Sequence, residues 1–221
     1  LLDDHVLIDC GPTVPAALAR FNADAAEITD IVITHNHSDH FDMESVKKIA
    51  GNGKIRLFGS PQVCAEAEVC CEVHPVSYGC RFQVAGFDFL ALPANHAVED
   101  PYEDTFLYVI SGGGRTLLYA LDTAWFSSRA KRFLGTSYLD GIIWDATMSE
   151  AGDWRVFDHS DPTMFRVIRK TLAQSRNIDE KTRIWFNHRA RTLWPADPAE
   201  QEKIAVRENV ELAHEGEIVI F

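Results

Sequence analysis

A chain of 221 residues with 46% hydrophobic content and a formal net charge of -12 can bury one sizeable core and shows no composition shift that would divide it, so a single domain over residues 1–221 is expected. The acidic balance opposes tight binding to nucleic acid, which draws its affinity mainly from Lys and Arg displacing condensed counterions, and so favours a small-molecule partner. No apolar run reaches the ~20 residues needed to cross a bilayer, and the opening Leu1-Leu2-Asp3-Asp4-His5 lacks the basic start and apolar centre of a secretory signal; a cytoplasmic protein with no membrane partner is expected, and a homodimer is left open.

Taken in chain order, short β-branched or aromatic runs alternate with stretches of helical period, the pattern of a layered α/β protein. The first expected strand, Val6 to Asp9, comes so early that preceding strands of the domain are expected to be missing. Strand Asp30 to Thr34 is followed by a helix over Asp42 to Ala50, a turn at Gly51-Asn52-Gly53, a strand over Lys54 to Phe58 and a helix over Pro61 to Glu68. Strands Arg81 to Val84, Phe87 to Pro93, Thr105 to Ser111 and Arg115 to Leu121 come next, the last two separated by Gly112-Gly113-Gly114. Helix Ser127 to Leu134, strand Gly141 to Trp144, helix Pro162 to Ser175, strand Arg183 to Phe186, helix Pro198 to Ala213 and strand Glu217 to Ile220 complete the chain. Ser60 and Asp161 stand as N-caps ahead of a proline in the first helical position. The five cysteines, Cys10, Cys64, Cys70, Cys71 and Cys80, form no C-x-x-C pair and read as reduced thiols; the crowding of the last four into one stretch is unexplained by this reading.

The most informative segment is Ile31-Val32-Ile33-Thr34-His35-Asn36-His37-Ser38-Asp39-His40, an apolar strand running directly into four ligand-type side chains. Residues two apart in an extended segment face the same way, so His35 and His37 can present their imidazoles to one point. The chain then turns and brings Asp39 and His40 toward a second. Imidazole and carboxylate together suit Zn²⁺ and also accept Mn²⁺ or Fe²⁺, and three-His sites leave a position open for water.

This H-x-H-x-D-H string is the signature of the metallo-β-lactamase superfamily, which the chain resembles over almost its whole length. Taken singly, His96 and His188 read as well as loop histidines and Asp122 as a helix N-cap. In the family's order, however, His96 after Leu92-Pro93-Ala94-Asn95 resembles the third ligand of the first metal, Asp122 the carboxylate bridging both metals, and His188 after Ile184-Trp185-Phe186-Asn187 the last ligand of the second. The resemblance therefore implies two divalent ions, one on His35, His37 and His96 and one on Asp39, His40 and His188, joined by Asp122, with Asp39 as ligand or proton acceptor. It also implies an αββα four-layer sandwich, with two sheets face to face and helices outside. Two adjacent cations lower the pKa of a bridging water and polarise a substrate oxygen, so hydrolysis is the natural outcome.

Asp145-Ala146-Thr147, then Phe157-Asp158-His159-Ser160-Asp161 ahead of a helix, resembles the phosphodiesterase branch: the phosphoribosyl cyclic phosphate phosphodiesterases and, more distantly, the tRNA 3'-endonucleases. In that branch the loop histidine protonates the leaving oxygen, a role that falls here on His159, with Asp158 or Asp161 to orient it. Arg189 and Arg191 replace the branch's usual residues after the last ligand and could bind a phosphate oxygen, since a guanidinium fork matches that geometry; solvent-exposed loop arginines are an equal reading. The expected substrate is thus a small, anionic phosphodiester, cyclic ones included. A lactonase or thioesterase of the same superfamily is the runner-up, and a non-hydrolytic metal or redox module the alternative of a different class.

Overall fold

The computed structural model describes residues 1–51 and 55–220; Asn52, Gly53 and Lys54, on which part of an expected turn and the start of an expected strand fall, lie outside the described residues. The chain divides into two compact units, Leu1–Ala91 with Val98–Phe106, and Leu92–Ala97 with Leu107–Phe221. Among the described residues the architecture is mixed α/β, with strands in two sheets and six α-helices, and no helix is long and apolar enough to cross a membrane.

In the first unit β1 (Val6–Ile8), β2 (Asp30–Val32), β3 (Ile55–Gly59) and β4 (Cys71–Pro75) form a sheet in the order β1-β2-β3-β4, with every pairing parallel. Its helices are α1 (Val14–Arg20), α2 (Met43–Ala50) and α3 (Pro61–Ala67). Parallel strands covered on their faces read as unbroken apolar runs, and Ile31, Ile33 and Leu57 sit in one core cluster with Val46 of α2 and Val63 of α3. Asp42 caps α2 and Ser60 caps α3, each side-chain oxygen accepting from a main-chain N–H three residues on. β5 (Arg81–Val84) and β6 (Phe87–Pro93) form an antiparallel hairpin.

In the second unit β7 (Phe106–Gly112), β8 (Arg115–Ala120), β9 (Gly141–Asp145), β10 (Arg183–Asn187) and β11 (Glu211–Leu212) run in the order β11-β10-β9-β8-β7. Only β7 and β8 are antiparallel, joined by Gly113 and Gly114, both at positive φ as a tight two-residue hairpin turn requires. The remaining connections carry α4 (Ser128–Leu134), α5 (Pro162–Gln174) and α6 (Pro198–Glu208). α5 buries Phe165, Ile168 and Leu172, one face of a helix at the i, i+3, i+7 spacing, while β9 and β10 bury Ile142, Trp144, Ile184, Trp185 and Phe186.

Two expectations fail here, and two elements were missed. Glu217 to Ile220 is not a strand: Ile218 and Ile220 are exposed, and alternation of apolar residues without a neighbouring strand to pair with produces no ladder. α6 stops at Glu208 rather than reaching Ala213, because Asn209 turns left-handed (φ 51°, ψ 58°) and sends the chain into β11. β4 and α1 were not expected at all; β4 is a short edge strand ending in proline, a position where a missing N–H is tolerated.

Candidate metal centre

In the first unit the ligand-rich loop is fastened to the turn after β1. The main-chain N–H of Asp9 donates to Val32 O (2.9 Å), that of Cys10 to His40 O (2.7 Å) and that of Asp42 back to Cys10 O (2.9 Å). Gly11 lies so close to the Asp39 carbonyl that a Cβ there would fall onto it, so this close approach requires glycine. Asp9 itself sits in the left-handed region at φ 60°, with its carboxylate buried. One of its oxygens accepts from the main-chain N–H (2.8 Å) and hydroxyl (2.9 Å) of Thr34, the other from His40 Nδ1 (2.9 Å). Because the Thr34 hydroxyl spends its proton on Asp9, its lone pair receives the Nδ1 proton of His35 (2.9 Å). The His35 Nε2 lone pair then faces outward, 3.2 Å from His37 Nδ1. His40 Nε2 lies 3.7 Å from the exposed Asp39 carboxylate.

The second unit repeats this wiring with different residues. Asp145, at the end of β9 and fully buried, accepts on one oxygen from the main-chain N–H (2.8 Å) and hydroxyl (2.7 Å) of Thr147. Its other oxygen accepts from the Thr123 N–H (3.0 Å) and from His159 Nδ1 (2.9 Å). The Thr147 hydroxyl in turn accepts from His188 Nδ1 (2.8 Å). Asp9–Thr34–His35 with His40, and Asp145–Thr147–His188 with His159, are therefore two copies of one device: a buried carboxylate that fixes the tautomer of one histidine directly and of another through a threonine.

Asp122, at the end of β8, is the residue between the histidines of this unit. Its Oδ1 lies 3.1 Å from His188 Nε2 and its Oδ2 3.7 Å from His96 Nε2. The His96 ring donates through Nδ1 to the Asp158 carbonyl (3.0 Å), and the loop carrying His96 is stapled to the one after Asp122 by Asn95 N–H to Thr123 Oγ1 (3.0 Å) and Ala124 N–H to Asn95 O (3.0 Å). Asp122 and His188 share with Asp9 a left-handed backbone at the end of a strand, φ 52° and 55°. Such conformations cost about 1–3 kcal/mol each and persist where the surroundings over-determine them.

Asp122, Asp145, His159 and His188 each offer a ligand atom within 4.8 Å of one another, and hydrogen bonding sorts them. Both Asp145 oxygens are taken by donors, which makes it a support. With the Nδ1 protons of His96 and His188 engaged, each ring in its neutral form presents an Nε2 lone pair toward a carboxylate oxygen of Asp122, an arrangement that a cation between them would satisfy. The donor set thus fits a divalent metal ion.

Several sequence-derived roles need correcting. His159 is oriented by Asp145, not by Asp158 or Asp161: Asp158 meets His96 through its carbonyl, and the Asp161 carboxylate caps α5, accepting from Thr163 and Met164 N–H (2.6 and 3.0 Å). Asp122 is not the cap of α4, since Ser127 is. Arg189 donates to Gln201 Oε1 (2.6 Å) and Ala213 O (2.7 Å) and lies over the Trp194 ring, with burial lowering its pKa below the usual arginine value; Arg191 is exposed. The supporting roles of Asp9, which follows β1, and of Thr34, which directly precedes the H-x-H loop, went unnoticed in the sequence.

A family model described as "Beta-lactamase superfamily domain" matches residues 4–184. The chain belongs to this family. Among solved structures, members of the metallo-β-lactamase fold cover nearly all of it. The Zn²⁺-bound PqqB from Methylobacterium extorquens is 16% identical, covering 99% of this chain and 85% of its own at a TM-score of 0.72. A diphosphatase from the PhnP family is 20% identical, covering 98% and 79% at a TM-score of 0.69, and the short form of human tRNase Z is 18% identical, covering 100% and 90% at 0.66. At these identities the likeness is one of fold. Comparison with curated proteins returns no match.

Proposed function

We propose that this superfamily member is a dinuclear metal-dependent phosphodiesterase acting on a small anionic phosphodiester. His35, His37 and His96 would hold one divalent ion and Asp39, His40 and His188 the other, with Asp122 serving both; Zn²⁺ suits this donor set first, and Mn²⁺ or Fe²⁺ also. The division of the Asp122 oxygens between His188 and His96 supports its bridging role. When bound, such ions polarise a phosphoryl oxygen and bring the pKa of a water toward neutrality.

The observation that carries the phosphodiesterase reading is the His159–Asp145 hydrogen bond of 2.9 Å. Asp145 holds the Nδ1 proton and stabilises the imidazolium, so Nε2 is the atom that delivers a proton. An alkoxide leaving from phosphorus is poor and gains from a positioned proton donor. Asp145 is thereby a positioning residue for both His159 and, through Thr147, His188. Exposed Arg191 remains a candidate for a substrate phosphate oxygen, whereas Arg189 already has two acceptors.

The test is His159→Ala. Metal content should be unchanged, and turnover of alkyl phosphodiesters should fall by about 10²–10⁴. The defect should shrink for aryl phosphodiesters such as bis(p-nitrophenyl) phosphate, whose leaving anion needs no proton. Loss of metal in the variant, equal defects for both leaving groups, or turnover of lactones or thioesters in place of phosphodiesters would overturn the reading.

A further inference from the structure

The thiols of the first unit take no part in the chemistry above, yet two of them stand side by side. Cys70 lies in the turn after α3 and Cys71 opens β4, the edge strand of its sheet. All five cysteines are free, and these two are half-buried rather than enclosed. Their Sγ atoms are 3.7 Å apart.

A disulfide is the less suitable use of this pair. Cα atoms joined by one trans peptide are about 3.8 Å apart, short of the roughly 4.4–6.8 Å that unstrained disulfides span. A chelate fits better. Two thiolates on one tetrahedral d¹⁰ ion, each at about 2.3 Å, are separated by about 3.8 Å, almost the separation the chain already provides. Burial, with the neighbouring Cys70 thiol adding to it, pushes the Cys71 thiol up to about 12, so an ion must displace protons to enter and its affinity rises with pH.

We propose that Cys70 and Cys71 form an open two-thiolate site for a soft d¹⁰ divalent ion, separate from the His and Asp residues of the proposed catalytic centre. The binding step is M²⁺ + 2 RSH → M(SR)₂ + 2 H⁺, without change of oxidation state. Among the described residues no third His, Cys, Asp or Glu ligand atom closes the set, so solvent completes the coordination and the ion exchanges readily, unlike the ion of a closed structural site.

Zinc-loaded protein titrated with Cd²⁺ tests this. A sulfur-to-cadmium charge-transfer band in the ultraviolet reports thiolate ligation alone, because the His and Asp set contains no sulfur. Wild type and the Cys80→Ser control should saturate at one thiolate-bound cadmium per chain, and either Cys70→Ser or Cys71→Ser should weaken that binding at least tenfold. Cys70→Ser, in a half-exposed turn, keeps the test available should Cys71→Ser fold poorly. Absence of the band in wild type, its persistence in both single variants, or its loss only with Cys80→Ser would overturn the proposal.

Discussion

At the scale of single residues, the two buried carboxylates do more to define this protein than their silence in the motif suggests. Asp145 accepts four hydrogen bonds and Asp9 three, and each fixes which nitrogen of two histidines carries the proton. Asp145→Asn keeps the shape but presents an amide that cannot accept from all of these donors, so His159 and His188 lose their enforced tautomers. Removing such a support ordinarily costs 10–100-fold in metal affinity or activity. The expected result is a kcat at least tenfold lower with KM little changed and a displaced alkaline limb of the pH–rate profile, the limb that a proton donor such as His159 governs, read from steady-state kinetics between pH 5 and 9. An unaltered profile would make Asp145 merely structural. The candidate ligands His35, His37, Asp39 and His40 stood out in the sequence because H-x-H-x-D-H concentrates them in six residues. Asp9 was not, because an acid 25 residues upstream of Thr34 becomes its partner only when β1 and β2 pair.

At the scale of elements, the sequence was most readable where a cap, a proline and a periodic apolar face agreed. α3 and α5 begin at the expected caps, Ser60 and Asp161, since capping is local chemistry that the next three residues decide. The ends of the chain's later elements were misread because tertiary partners decide them: β11 exists by pairing with β10, and Glu217 to Ile220 has no such neighbour among the described residues. Asp161 offers a clean separation of structure from chemistry. Its carboxylate is buried against two N–H groups of α5 and does not touch His159. Asp161→Ala should cost about 1–2 kcal/mol, a fall of some 2–8 °C in Tm for a chain of this size, while the pH–rate profile keeps its shape. A change in the limb assigned to His159 would show that this acid reaches the proton donor after all.

At the scale of the whole molecule, charge and metal binding act on each other. The formal charge of -12 disfavours a polyanionic partner, so likeness in fold to a tRNA-processing enzyme carries no substrate with it. The same surplus of carboxylates, with Asp9, Asp122 and Asp145 buried, gives the folded chain a reason to hold cations: two divalent ions would offset four formal negative charges at the points where carboxylate and imidazole lone pairs converge. Since an unfolded chain has no such converged set, ions bound only by the folded state stabilise it by about 2.7 kcal/mol per site at a free concentration of 100 times Kd. Chelation should therefore lower Tm by several degrees, and restored Zn²⁺ should return it, with the shift growing as free metal rises. Asp122→Ala should lose most of that metal-dependent increment, because one carboxylate is asked to face both His96 and His188. His159→Ala should retain it in full, as a proton donor is not a ligand. A Tm indifferent to chelator in wild type, with metal analysis confirming that the ions had left, would remove the metals from the folding equilibrium and with them the dinuclear reading of the centre.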